Sequence, residues 1–325
     1  MKFKNLGKSG LKVSELCMGC MSFGEPQRGN HGWTLPKEES RPIIAKAIEA
    51  GINFFDTANV YSDGSSEEIL GEVLWEHVRR DEIVLATKVH GLMLSEPQMQ
   101  GQSRRAILHN IDQSLKRLNT DHVDLYQIHR FDYDTPIEEV MVALHDVVKS
   151  GKARYIGASS MFAWQFAKAQ EFARHNGLTQ FVSMQNYVNL LYREEEREMI
   201  PLCLDQGVGL IPWSPMARGR LTRLEAQTTR SAEDQFQKVL YSATEAADAL
   251  VIKEVARIAK ELARPMAHVA LAWVRQKAGV TAPIIGTTKV SQLDDAIAGL
   301  ELVLTSDQIK ALEAPYVPHQ VVGHS

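Results

Sequence analysis

Cysteine is scarce in this chain: Cys17, Cys20 and Cys203 are the only three in 325 residues. So few thiols exclude a disulfide-stapled fold and suit a reducing, cytoplasmic setting. Cys17 and Cys20 form a C-x-x-C, but no second pair or nearby histidine cluster completes a zinc site, HExxH is absent, and no metal is expected. No apolar run approaches the roughly 18 residues a membrane helix needs, and the opening MKFKNLGKSG lacks the apolar core of a secretory signal. Basic residues form no long block and the formal net charge is −4. Arg104-Arg105 and the run EEERE at 194–198 read as solvated helix faces, so neither nucleic acid nor a membrane is an expected partner. What is present is an ordinary globular composition, 44% hydrophobic and 23% charged. The length suits two average domains or one large α/β barrel.

Glycine-rich phosphate loops are also missing. No G-x-G-x-x-G follows a strand; the nearest approach, GVGLIP at Gly207, has no third glycine and runs into a proline. Yet strand and helix patterns alternate along the chain. After a hairpin suggested by FKNLGKSGLKV, apolar strand-like runs occur at ELCMG, INFFD, EIVLATK, VDLYQIH, ARYIGAS, FVSMQN, VGLIPW and APIIG. Helical periods lie between them. Ser103 is placed to cap a helix with Ile107, Leu108, Ile111, Leu115 and Leu118 on its apolar face. Thr135-Pro136-Ile137-Glu138 reads as a capping box with proline at the first helical position, and Ser65 with Glu68 opens another helix. About eight strand–helix units without a linker predict a (β/α)8 TIM barrel in a single domain, 1–325, with an N-terminal β-hairpin. A polar, weakly periodic stretch, 221–246, predicts a long insertion after strand seven.

Barrel enzymes act at the carboxyl ends of their strands, and the residues predicted there are not packing choices. Strand two ends at Asp56, with Tyr61 in the loop beyond it; strand three ends at Lys88 and strand four at His129. Strands five, six and seven end at Ser159-Ser160, Gln185-Asn186 and Trp213-Ser214. Any one of these alone is ordinary, since a strand-end histidine usually just packs and a strand-end lysine snorkels. Six in succession facing one mouth point to a site. Asp56 and Lys88 can pair, and the lysine's charge favours loss of a proton from the Tyr61 phenol, making it a general acid toward a carbonyl oxygen. His129 can hydrogen-bond that oxygen as charge develops. No activated nucleophile accompanies them, so the harder chemistry falls to a cofactor.

At these residues the sequence resembles the aldo-keto reductases. GINFFDTANVYSDGSSEEILG is similar to that family's first signature, EIVLATKV and VDLYQIHR carry its lysine and histidine, and the likeness covers nearly the whole chain. The resemblance implies a TIM barrel that binds NADPH or NADP+, NADH less readily, and reduces small-molecule aldehydes and ketones through Asp56, Tyr61, Lys88 and His129. It further implies that Ser159 and Gln185 hold the nicotinamide carboxamide and Trp213 stacks on the ring. Ser214, Pro215, Met216 and Arg218 would line the pyrophosphate path, with Arg230 as a clamp. Gly286, Thr288, Lys289, Gln292 and Asp295 would surround the adenosine end, Lys289 at a helix start suiting the 2′-phosphate. Many members have asparagine where this chain has Ser160 and Ala296, and an arginine near Gln292. MGCMSFGEPQRGNHGWTLP, MARGRLT and PYVPHQVVG resemble the bacterial YajO-type subgroup, some of whose relatives carry the name 1-deoxyxylulose-5-phosphate synthase.

The loop EPQRGNHGWTLPKEES offers Arg28, His31 and Trp33 to the barrel mouth, and the tail YVPHQVVGHS can close over it. Arg28, Arg130 and Arg218 are candidates to receive an acidic or phosphorylated substrate. Two other functions share the residues: a nucleotide-sensing binding subunit like the potassium-channel β subunits, and a sugar-phosphate conversion without net redox change. The oligomeric state is not legible in the sequence.

Overall fold

The computed structural model describes residues 1–29, 31–224, 240–241 and 244–324. All eight strand-like runs become strands of one parallel sheet: β3 (Cys17–Gly19), β4 (Phe54–Asp56), β5 (Val84–Val89), β6 (Val123–Ile128), β7 (Ala153–Ser159), β8 (Phe181–Gln185), β9 (Gly209–Leu210) and β10 (Ile284–Ile285). They pair in the order β10-β3-β4-β5-β6-β7-β8-β9. The two ends of that order also meet. Leu210 bridges Val280 in parallel, and the Thr281 and Ile284 amides donate to the Leu210 and Pro212 carbonyls at 2.8 Å each. The sheet therefore closes on itself as a (β/α)8 barrel.

Helices α1 (Lys37–Glu49), α2 (Ser65–His77), α3 (Arg104–Arg117), α4 (Ile137–Lys149), α5 (Ala163–His175), α6 (Met199–Gln206), α7 (Glu245–Glu261), α8 (Met266–Gln276), α9 (Val290–Ala298) and α10 (Ser306–Glu313) carry the connections. Ser103 caps α3 as its position predicts, accepting from the Ala106 amide at 3.2 Å. The other two predicted caps are diverted. Thr135 gives its hydroxyl proton to Asp132, leaving Pro136 as the N-cap of α4. Ser65 bonds the Ser62 carbonyl and the Glu25 amide, so Gly64 precedes α2 instead. In both cases a loop near the barrel mouth uses the polar group that the helix would have used.

Strand alternation then sorts the interior. Phe54, Val84, Ala86, Leu125, Ile211, Ala282 and Ile284 form an inner apolar cluster, while their strand neighbours such as Phe55, Leu85 and Tyr126 face the helices. The hairpin β1 (Phe3–Asn5) with β2 (Lys12–Ser14) seals the amino-terminal end, since Leu6 and Val13 join the inner cluster. Gly7, at φ +58, lies so close to the backbone of Gly207 and Gly209 that any Cβ would collide. With the floor apolar and plugged, the next inward positions, two residues further along each strand, form the site. The insertion expected after the seventh barrel strand runs from the end of β9 toward α7, and most of it lies outside the described residues.

Candidate active site

The same parity that turns Phe54, Ala86 and Leu125 inward turns Asp56, Lys88 and Gln127 inward one layer higher. Parallel register sets them side by side: Asp56 lies opposite Ala86, and Lys88 opposite Gln127. Lys88 is 0% exposed and Asp56 2%, so this is a buried ion pair and must be saturated with partners to persist. It is. Lys88 Nζ donates to Asp56 Oδ1 at 2.5 Å, to the Thr57 carbonyl at 2.8 Å and to the Tyr61 hydroxyl oxygen at 3.1 Å. The second carboxylate oxygen of Asp56 accepts from Gln127 Nε2 at 2.8 Å and from Gln185 Nε2 at 3.0 Å. Burial alone would lower the lysine's proton affinity, but the Asp56 and Tyr61 oxygens outweigh it and hold Lys88 above its ordinary value.

Tyr61 itself is half-buried, so its hydroxyl lies between the charged interior and the open mouth. Its loop is braced from several sides. The Thr57 and Asn59 amides bond the Ala86 and Lys88 carbonyls, and Ser66 joins the Thr57 side chain to the Cys20 carbonyl. Arg28 adds a clamp, pairing with Glu68 at 2.6 Å and donating to the Asp63 carbonyl at 2.5 Å. The loop after the first barrel strand thus spends Arg28 on holding the phenol's loop.

His129 stands at the end of β6, its ring edge-on to Tyr61 with centroids 5.6 Å apart. Burial, then the charges of Lys88 and Arg130, push its imidazole well below the ordinary histidine range. It is a neutral ring at neutral pH. A phenol proton backed by a buried ammonium, beside a neutral imidazole N–H, can protonate and orient an oxygen placed between them.

The residues expected around a nicotinamide dinucleotide occupy the same end of the barrel. Ser159 donates to the Gln185 carbonyl at 2.9 Å, and the Gln185 side chain turns toward Asp56. Trp213 stacks on Tyr187 at 4.2 Å and donates to Ser160 Oγ at 3.0 Å. The segment that follows holds Ser214, Pro215, Met216 and Arg218, and three of its residues, Ser214, Ala217 and Arg218, sit at φ 51, 49 and 54. Left-handed strain in non-glycine residues clusters where a ligand is handled. Gly286, Thr288 and Lys289 leave the neighbouring strand β10 at the same end, with Lys289 exposed at the uncapped start of α9. Gln292 folds back to accept from the Thr288 amide at 3.0 Å, and Asp295 accepts from His268 at 3.0 Å. Arg230 lies outside the described residues.

Among the described residues, both amide atoms of Asn186 and the hydroxyl of Thr287 are buried without protein partners. A buried amide and hydroxyl with no partner are costly unless a ligand satisfies them. Thr287 was not among the residues singled out from sequence; its signal is a hydroxyl in the loop between a short strand and an uncapped helix. Gln127 was also missed, although a lone amide inside the apolar run VDLYQIH marks it. The tail does reach this end: Gly323 abuts the Trp213 ring, His324 bonds Glu195 at 2.9 Å, and the His319 amide donates to Glu194 at 2.8 Å.

The sequence model of the Aldo/keto reductase family matches residues 15–316, and the chain belongs to that family. It is 45% identical to a versiconal hemiacetal acetate reductase of Aspergillus parasiticus over 342 aligned positions, covering 99% of this chain and 98% of the relative. An aldo-keto reductase of Metarhizium robertsii is 42% identical, over 99% of this chain and 93% of its own. A Schizosaccharomyces pombe protein provisionally named an aryl-alcohol dehydrogenase is 44% identical, over 98% of this chain and 96% of its own. These relatives are fungal, and the expected YajO-type bacterial subgroup finds no support among them.

Proposed function

We propose that this protein, as one barrel domain, uses NADPH to reduce aldehyde and ketone carbonyls to alcohols, with Tyr61 as the general acid. The observation that carries the reading is the buried Asp56–Lys88 pair ending 3.1 Å from the Tyr61 hydroxyl. An ammonium fixed there stabilises the phenolate left after proton donation, and Asp56 keeps that ammonium charged despite its burial. The neutral His129 offers its ring N–H to the same carbonyl oxygen and so fixes its position. A reduced nicotinamide bound at this end of the barrel supplies the hydride for the carbonyl carbon.

The cofactor assignment rests on the family and on the residues themselves. Among the described residues Asn186 and Thr287 have unsatisfied polar atoms, the 214–219 loop is strained, and Lys289 makes no ion pair at its helix start. Asn186 joins Ser159 and Gln185 as a holder of the carboxamide, and Lys289 with Thr288 receives the 2′-phosphate in this reading. The names of the relatives, a hemiacetal acetate reductase and an aryl-alcohol dehydrogenase, favour aromatic and hemiacetal-forming aldehydes as the substrate class. They give no support to sugar-phosphate conversion or to a sensing subunit.

The test is NADPH consumption with benzaldehyde, methylglyoxal and glyceraldehyde 3-phosphate. Turnover, fastest with benzaldehyde, is expected. NADPH binding without turnover of any of them would overturn the reductase reading, and product formed from the sugar phosphate without NADPH consumption would replace it with a non-redox one.

A further inference from the structure

The half-buried arginines Arg28, Arg80, Arg117, Arg193, Arg220 and Arg275 each meet a carboxylate. Arg130, also half-buried and next to His129 at the mouth, meets none among the described residues. Among the described residues its guanidinium donates from Nη1 to the His129 carbonyl at 2.6 Å. The nearest acid in sequence, Asp132, is already used: it accepts from the Gln102 amide at 2.7 Å, the Thr135 hydroxyl at 2.8 Å and the Asp134 amide at 3.0 Å. Burial lowers the guanidinium's proton affinity, and the Tyr61 oxygen opposes that effect.

The surroundings do not neutralise it by other means. His90, at φ 149 on the loop after β5, has a buried Nδ1 without a partner. Burial and the Arg130 charge keep it below the ordinary histidine range, although Asp132 pulls the other way. His129 is neutral as well. Lys88 is spent on Asp56. Arg130 is therefore a positive charge beside His129 with no acid partner among the described residues, and the Gln102 side chain holds its backbone carbonyl in place. A half-buried guanidinium without an acid partner is placed to take up a bound anion.

Building on the reductase reading, we propose that Arg130 is a specificity-determining residue that receives an anionic oxygen of the substrate, a carboxylate adjacent to the reacting carbonyl. Adjacency follows from the chain: Arg130 directly follows His129 and its Nη1 returns to the His129 carbonyl, so the anion it binds lies near the carbonyl that His129 orients. A 2-oxo acid has that geometry; its ester keeps the carbonyl and loses the charge.

The experiment compares phenylglyoxylate with its methyl ester in wild type, Arg130→Met and Arg130→Lys, with benzaldehyde turnover reporting the reductase activity independently. In Arg130→Met the acid-to-ester ratio of kcat/KM falls about 10-fold or more, the scale of one charge-assisted hydrogen bond, and Arg130→Lys recovers part of it. An equal loss on acid and ester, or an unchanged ratio, overturns the proposal while leaving the reductase reading intact. If wild type reduces benzaldehyde but neither phenylglyoxylate nor its ester, binding of benzoate to the NADP+-loaded protein decides. Affinity at least about 10-fold weaker in Arg130→Met upholds the proposal; equal affinity overturns it. Failure with benzaldehyde as well would remove the reductase reading itself.

Discussion

Replacing Asp56 by asparagine keeps the shape of the site and removes one charge. In the native protein the Lys88 ammonium has no solvent contact and lies 2.5 Å from the Asp56 carboxylate. At an effective dielectric near 20 that separation corresponds to a gross attraction of about 7 kcal/mol, set against the desolvation of both ions. Removing one partner of such a pair leaves the other buried and costs about 3–5 kcal/mol. The pH dependence follows from the direction of the lysine shift. Burial lowers Lys88, and Asp56 with Tyr61 raises it further than burial lowers it. The folded native protein thus holds this proton more tightly than the unfolded chain, where lysine titrates near about 10.4. That stabilisation is fully present below about pH 10.4 and is lost as pH rises through the folded value. In Asp56→Asn burial prevails and the sign reverses: the loosely held proton costs stability at neutral pH, and the cost shrinks as pH rises toward about 10.4. Urea unfolding followed by circular dichroism at about pH 7 and about pH 9.5 reads both effects. The variant loses about 3–5 kcal/mol at the lower pH and visibly less at the higher. A loss below about 1 kcal/mol, or one identical at both pH values, would refute this description of the buried pair.

His129, held far below its ordinary value by burial and by Lys88 and Arg130, stays neutral as pH falls through about 6.5 while the unfolded chain takes up a proton there. The pH profile of kcat/KM accordingly has no acidic limb near 6.5, and His129→Asn loses about 1 kcal/mol less stability than wild type between about pH 7 and about pH 5.5. Lys289 is exposed, so its charge is screened. Lys289→Met weakens NADPH binding about 3- to 10-fold at low salt, less at high salt, and changes NADH binding little in fluorescence titrations.

Much of this site was legible because barrel strands obey a simple parity. Asp56, Lys88 and His129 each end an apolar run, and a parallel barrel sends such ends to one mouth whatever the loops do. Long-range pairing was not legible. Nothing local to Arg28 says that Glu68, forty residues on, will take its guanidinium, and nothing local to Gln185 says that its amide will turn to Asp56. The diverted caps at Ser65 and Thr135 are of the same kind: the sequence offers a helix cap, and a tertiary partner takes the hydroxyl. Arg130 was one of three candidate arginines on sequence grounds. Only packing distinguishes it from Arg28, by showing which carboxylates are already engaged.

The central claim, that Tyr61 delivers the proton, is tested most directly by Tyr61→Phe. Benzaldehyde reduction and NADPH affinity are measured together on both proteins. A kcat lower by about 10²- to 10⁴-fold, with NADPH affinity preserved, is the expected result for loss of a general acid. Turnover within a few-fold of wild type would contradict it and move the proton donor elsewhere.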